Sequence, residues 1–154
     1  MNLFLARHGQ AATLEAGKSM HLTQEGREEV LRVAKELLRR KLNIQQIWYS
    51  PKTRAVQTAE IYAKALGITP GNLIENKYLS IDADIDVVYP EILESGIENL
   101  MIVSHEPNLE ELSSLLVSGS DHLPQFIFPT AGVAAFEQGP NWRWAWLLEP
   151  SKLA

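Results

Sequence analysis

Three short strand-like runs, each followed at its junction with the next segment by histidine or arginine, constrain this chain more than any other feature. Leu3-Phe4-Leu5-Ala6 runs into Arg7-His8-Gly9. Gln45 to Tyr49 runs into Ser50-Pro51, with Arg54 just beyond, and Leu100 to Val103 runs into Ser104-His105. A continuous apolar run bounded by turn residues reads as a strand of a parallel sheet buried on both faces. In open α/β sheets, ligands bind outside the carboxyl ends of the strands. Gly9, with no Cβ, lets the chain turn sharply there and lets its backbone approach a ligand closely.

The segments between these runs read as helices. Thr23 is an N-cap, with Gln24 and Glu25 in the first turn. Val30, Leu31, Ala34, Leu37, Leu38 and Leu42 recur at helical spacing, and Arg39, Arg40 and Lys41 form a solvated basic end. Ser50 and Pro51 read as N-cap and first residue of a second helix, with Ala55, Val56, Ala59, Ala63 and Leu66 inward and Gly67 closing it. That places Arg54 in the first helical turn, beside a strand end. Ala11 to Met20 reads as loop, and Leu73-Ile74 as a short strand. Asp84 to Ser95 has a helical pattern that Pro90 interrupts. Asn108 to Val117 is a further helix, and Ser118 to Pro129 is irregular. Ala131 to Phe136 and Trp142 to Leu148 read as a hairpin about Gln138-Gly139-Pro140-Asn141. Trp142, Trp144 and Trp146 alternate along its second strand and fit a packed sheet face better than a binding platform.

Strands alternating with helices over 154 residues fit one α/β domain spanning 1–154. The net charge of −5 leaves no basic footprint for nucleic acid. The absence of cysteine removes disulfides, thiol catalysis and cysteine metal sites. No stretch approaches the ~20 apolar residues of a membrane span. No signal peptide is evident at the N-terminus, so the expected location is cytoplasmic.

Two arginines and two histidines at one sheet mouth make a poor structural core, because protonated and unpaired they repel one another. They suit a shared anion. Arginine forks match phosphate oxygens in a bidentate fashion, and a helix N-terminus at Ser50-Pro51 adds backbone donors. His21 and His122 read as ordinary surface or hydrogen-bonded histidines.

Arg7-His8-Gly9 resembles the RHG motif of the histidine phosphatase superfamily, which includes the phosphoglycerate mutases. The likeness extends to Leu22-Thr23-x-x-Gly26, to Ser50-Pro51-x-x-Arg54-Ala55-x-Gln57-Thr58-Ala59 and to Val103-Ser104-His105-x-Pro107. The chain is most similar to the compact SixA-type phosphohistidine phosphatases, with little room for the helical insertions of larger members. The resemblance implies a phosphoglycerate mutase-like three-layer αβα sandwich, with a mostly parallel central sheet and one antiparallel edge strand. It implies that His8 is the transiently phosphorylated nucleophile, and that Arg7, Arg54 and a protonated His105 hold the phosphoryl group. Gln10 and Ser50 are candidates for further hydrogen bonds to substrate. No metal and no cofactor is required.

Many members use an acidic general acid for an alcohol leaving group. Glu75 lies in that region without the usual neighbours, and Asp82, Asp84 and Glu106 are further carboxylates of unknown orientation. An imidazole protonated at its far nitrogen leaves phosphorus more readily than an alkoxide, so a phosphohistidine substrate needs that acid less. Asp84-Ile85-Asp86-Val87-Val88 superficially fits a magnesium-dependent aspartate phosphatase, but an N-cap with an acidic first turn accounts for it better. A calcium loop is excluded by Val87 at the position that needs glycine. Three functions follow: a phosphatase of a phosphohistidine protein domain, a phosphatase of a small phosphorylated metabolite, or a non-catalytic phospho-ligand binding module. An intact His8 argues against the last.

Overall fold

The computed structural model describes residues 1–13, 17, 19–118 and 127–153. Among these, the chain runs β1 (Asn2–Arg7), β2 (Ala11–Thr13), β3 (Met20–Leu22), α1 (Gln24–Arg39), β4 (Gln46–Tyr49), α2 (Thr53–Leu66), β5 (Leu73–Glu75), α3 (Ile85–Glu94), β6 (Asn99–Ser104), α4 (Asn108–Ser118), β7 (Val133–Gln138) and β8 (Trp142–Leu148). His122, and with it its sequence reading, lies outside the described residues.

Six strands form the central sheet in the order β5-β4-β6-β1-β7-β8. β1, β4, β5 and β6 are mutually parallel, and β7 runs antiparallel to both β1 and β8. The antiparallel strand therefore sits one place in from the edge. Its hairpin partner β8 covers it and restores the common direction at the margin.

The apolar runs form strands because both faces are covered. Phe4 and Ala6 join Met101, Val103 and Ile47 beneath Val30, Ala34 and Leu37 of α1 and Ala55, Ala59 and Tyr62 of α2. Leu3 and Leu5 point the other way, with Leu100 and Ile102, onto Val88 and Ile92 of α3 and Leu109, Leu112 and Leu116 of α4. Alternate residues of one strand thus feed two cores, which gives the three layers. Leu31 and Leu38, assigned inward from spacing, face outward at 41% and 55% exposure, and Val33 is buried instead.

Pro90 sits inside α3 without ending it. Pro90 and Asp86 are both exposed, so the carbonyl freed by the missing N–H meets water. The expected loop after Gly9 is instead a small ribbon, with β2 antiparallel to β3. The three tryptophans do not share a face. A bulge at Ala135/Phe136 sends Trp142 to the α3–α4 side and Trp146 to the α1–α2 side.

Candidate active site

His8 and His105 follow neighbouring parallel strands, and their rings meet. The centroids are 5.1 Å apart and the planes tilted by 57°. Arg7 pairs with Ser104 in the β1–β6 register, so the two histidines leave the sheet at the same level. The His8 amide donates to the Ser104 carbonyl at 3.2 Å, which fixes the junction.

His8 is 8% exposed, and its tautomer is set by its neighbours. Nδ1 lies 2.8 Å from the Gly9 carbonyl oxygen, which only accepts, so Nδ1 carries the proton. Nε2 is then a bare lone pair, and it accepts from Nε of Arg54 at 3.3 Å. Burial first, then the charges of Arg54 and Arg7, push the His8 pKa down to about 4 despite the Gly9 bond. A neutral imidazole with Nε2 free is the nucleophilic form.

His105 is 1% exposed. Its Nε2 lies 2.7 Å from Ser50 Oγ. The Lys52 amide donates to that hydroxyl at 3.3 Å, so the Ser50 proton is free to point at Nε2. With Ser50 donating to Nε2, the His105 proton lies on Nδ1, a buried atom with no partner among the described residues. Burial, then the nearby His8, Arg54, Lys52 and Arg7, lower its pKa to about 3. Desolvation first, then the surrounding cations, thus favour a neutral His105 here; the protonated form is the one expected with a phosphoryl group in place.

Arg7 donates from Nη1 to the Phe128 carbonyl at 2.8 Å, while its Nε is buried and unpartnered. Among the described residues, each charged side chain that acts on the two imidazoles is cationic: Arg7, Arg54 and, at His105, Lys52. Two buried donors without a partner among the described residues, set among several positive charges, make a site for a multi-oxygen anion.

The remaining candidates fall differently. Ser50 is not the cap of α2. That helix begins at Thr53 with Lys52 as an N-cap that makes no side-chain cap bond, and Ser50 is fully buried against His105. The helix N-terminus thus lies two residues further on than expected, because Ser50 is held below by the imidazole. Gln10 gives its carboxamide oxygen to Thr23 Oγ1 at 2.7 Å. Thr23 in turn caps α1 by accepting from the Gly26 amide at 2.9 Å. Gln10 therefore ties the RHG loop to α1.

Gly9 is needed for packing against that helix. A Cβ there meets Val30 Cγ2 at 2.8 Å and the Gly26 carbonyl at 3.0 Å. A Cβ on Gly26 meets the Gln10 carbonyl at 2.1 Å. Glu75 is exposed at the end of edge strand β5. Asp84 caps α3 by accepting from the Asp86 amide at 2.9 Å.

Several contributors escaped the sequence reading. Thr58 Oγ1 donates to the Arg54 carbonyl at 2.8 Å and accepts from the Gly9 amide at 3.0 Å, clipping the His8 loop to the first turns of α2. Gln57 accepts from the Leu22 amide at 2.8 Å and lies 3.2 Å from His21 Nδ1, so His21 is a hydrogen-bonded structural residue. Lys52 is exposed at the head of α2 and adds charge to the pocket. The only signal for Thr58 and Gln57 was their place in the Ser50–Ala59 motif.

The sequence profile of the histidine phosphatase superfamily (branch 1) matches residues 3–76. Phosphohistidine phosphatase SixA of Escherichia coli (strain K12) is 28% identical over 157 residues, covering 99% of this chain and 96% of that protein. A solved structure of the protein histidine phosphatase SixA complexed with tungstate superposes with a TM-score of 0.87 at 27% identity, covering 98% of each chain. A mycobacterial glucosyl-3-phosphoglycerate phosphatase complexed with VO3 shares the fold, with a TM-score of 0.69 at 16% identity, over 94% of this chain and 98% of the other.

Proposed function

We propose, from the premise that this chain belongs to the histidine phosphatase superfamily and is a phosphatase, that it hydrolyses phosphohistidine on a protein. The observation that carries this reading is the pair of neutral imidazoles 5.1 Å apart, with cations and, among the described residues, no carboxylate acting on them.

In the first step the Nε2 lone pair of His8 attacks phosphorus. The new N–P bond forms as the bond to the leaving imidazole breaks, and that imidazole departs neutral with a proton on its far nitrogen. Nδ1–H of His8 stays on the Gly9 carbonyl throughout, which holds the ring in line. Arg54 exchanges its bond to Nε2 for phosphoryl oxygens. Arg7 Nε and His105 Nδ1, unpartnered in the free protein, then find acceptors. In the second step water attacks the phosphorus held on His8, and the N–P bond breaks with its electron pair returning to Nε2. Phosphate departs with the oxygen of that water and one of its protons, the other passing to phosphate or solvent. Splitting one displacement into two lowers each barrier.

The leaving group supports the substrate class. An alkoxide needs a proton in the transition state, and a positioned acid supplies about 10²- to 10⁴-fold there. An imidazole does not need it. The relation to SixA, described as a phosphohistidine phosphatase, and the tungstate held by that protein support the same reading, tungstate being a tetrahedral oxyanion like phosphate.

The test is a substrate panel with chelator present: a phosphohistidine protein domain, several phosphosugars and p-nitrophenyl phosphate. The expected result is a kcat/KM for the phosphohistidine protein at least about 10²-fold above the phosphosugars. Preference for a phosphosugar reverses the assignment in favour of a metabolite phosphatase with an acid such as Glu75. Oxyanion binding with no turnover of any compound leaves a binding module.

A further inference from the structure

Glu106 follows His105 directly, yet its carboxylate is bound to backbone on two different segments. Oε1 accepts from the Glu110 amide in the first turn of α4 at 3.0 Å. Oε2 accepts from the Phe128 amide at 3.2 Å. The carbonyl of that same Phe128 accepts from Arg7 Nη1 at 2.8 Å. One residue is thus held from both sides, by Glu106 at its N–H and by Arg7 at its C=O. The Phe128 ring is fully buried in the α3–α4 core, which anchors the residue a third way. The segment it begins then reaches the nucleophile: the Ala131 amide donates to the His8 carbonyl at 3.0 Å, and the Gly132 carbonyl accepts from the Arg7 amide at 3.0 Å.

We propose that Glu106 is a positioning residue for Arg7. Its carboxylate fixes the Phe128 peptide, and the Phe128 carbonyl fixes the guanidinium that faces the phosphoryl group. The inference rests on the reading that Arg7 binds that group.

A cap alone does not explain the arrangement. Glu110 needs one acceptor, and a shorter side chain serves that purpose. Spanning from α4 to Phe128 needs two oxygens at glutamate reach. The carboxylate is kept there against a cost, because burial pushes its pKa up to about 7. The two amide bonds and the charge of Arg7 oppose that shift, and the carboxylate of Glu110 adds to it. Arg7 gains in return. A long side chain loses rotamer freedom when it binds, and a guanidinium already fixed by a carbonyl pays less of that cost on binding the anion.

The experiment measures orthovanadate binding by titration calorimetry at pH 8 in four proteins: wild type, Glu106→Gln, Arg7→Ala and the double variant. Glutamine keeps one acceptor but turns an NH₂ toward the second amide, so it cannot hold both segments. Glu106→Gln is expected to weaken binding about tenfold when Arg7 is present and less than about twofold in the Arg7→Ala background, as for residues in one network. Glu106→Asp, too short to span both amides, is expected to repeat the pattern and serves if the glutamine variant does not fold.

The pH dependence is a second readout. As pH falls below about 7, wild-type Glu106 takes up a proton and loses an acceptor, so the gap between wild type and Glu106→Gln closes. Equal weakening in both backgrounds, or none in either, overturns the inference while leaving the phosphatase site intact. Failure of the wild type to bind the oxyanion at all overturns the site itself, and this inference with it.

Discussion

Arg54→Ala tests whether the pocket is an electrostatic trap for a phosphoryl group. In the free protein the guanidinium spends one bond on His8 Nε2, at 3.3 Å, and that bond is released when the anion arrives. A unit charge pair about 4 Å apart is worth about 4 kcal/mol at an effective dielectric near 20. Arg54 is only partly buried, so solvent screening reduces this to about 3 kcal/mol, or on the order of 10²-fold in kcat/KM. Removing one preorganised donor from an oxyanion site costs a similar factor.

The same substitution has a second, independent signature. Arg54 helps depress the His8 pKa, so the variant His8 titrates above about 4, moving toward its ordinary 6.5. Single-turnover kinetics measure the phosphorylation step, and imidazole NMR measures the titration. A loss under tenfold, or an unmoved His8 pKa, refutes the argument.

Three further outcomes are expected. His8→Ala abolishes turnover and the acid-labile phosphoenzyme while the fold persists; a labelled intermediate in that variant places the nucleophile elsewhere. Gly26→Ala sets a Cβ 2.1 Å from the Gln10 carbonyl, so α1 and the RHG loop must part, at a cost of about 3 kcal/mol or more read from the urea midpoint. In the third, the imidazoles of His8 and His105 have folded pKa values of about 4 and about 3, below 6.5, so they stabilise the fold fully above pH 6.5 and lose that contribution as pH falls toward 4 and 3. Glu106, raised to about 7, acts in the opposite sense, its contribution lost as pH rises through 7. The histidine part is isolated by comparing melting curves with His8→Asn and His105→Asn, which flatten the acid side; unchanged acid sensitivity in both variants contradicts the assignment.

The strands, and the convergence of Arg7, His8, Arg54 and His105 at one mouth, were legible because each is written locally. Leu3 to Ala6 is apolar on both faces, as a strand between two helical layers must be, and a polar residue closes each such run. What sets the chemistry in detail was not legible, since it depends on partners far along the chain. Arg7 meets the Phe128 carbonyl across 121 positions and His105 meets Ser50 across 55. Ser50 shows how the local rule fails: serine before proline is a sound cap signal, but a buried imidazole offered a better partner and the helix began later. The tryptophan alternation failed for a similar reason, because one bulge changes the face of every later residue.

The neutrality of His105 resolves the conflict between a pocket that must hold an anion and one that must fold without it. With both imidazoles charged, five cationic groups (Arg7, His8, Lys52, Arg54 and His105) would gather at one mouth, and the desolvation and the repulsion would work against folding. Leaving the two rings neutral removes two of those five charges. A phosphoryl group reverses the balance: a negative charge within about 4–6 Å favours the protonated ring, so the His105 pKa rises as the anion enters. On the proposed reading, the positive charge that stabilises the transferring group is partly recruited by the substrate. A neutral ligand of the same shape recruits none of it, so discrimination between phosphate and uncharged compounds exceeds what hydrogen bonds from Arg7 and Arg54 provide alone.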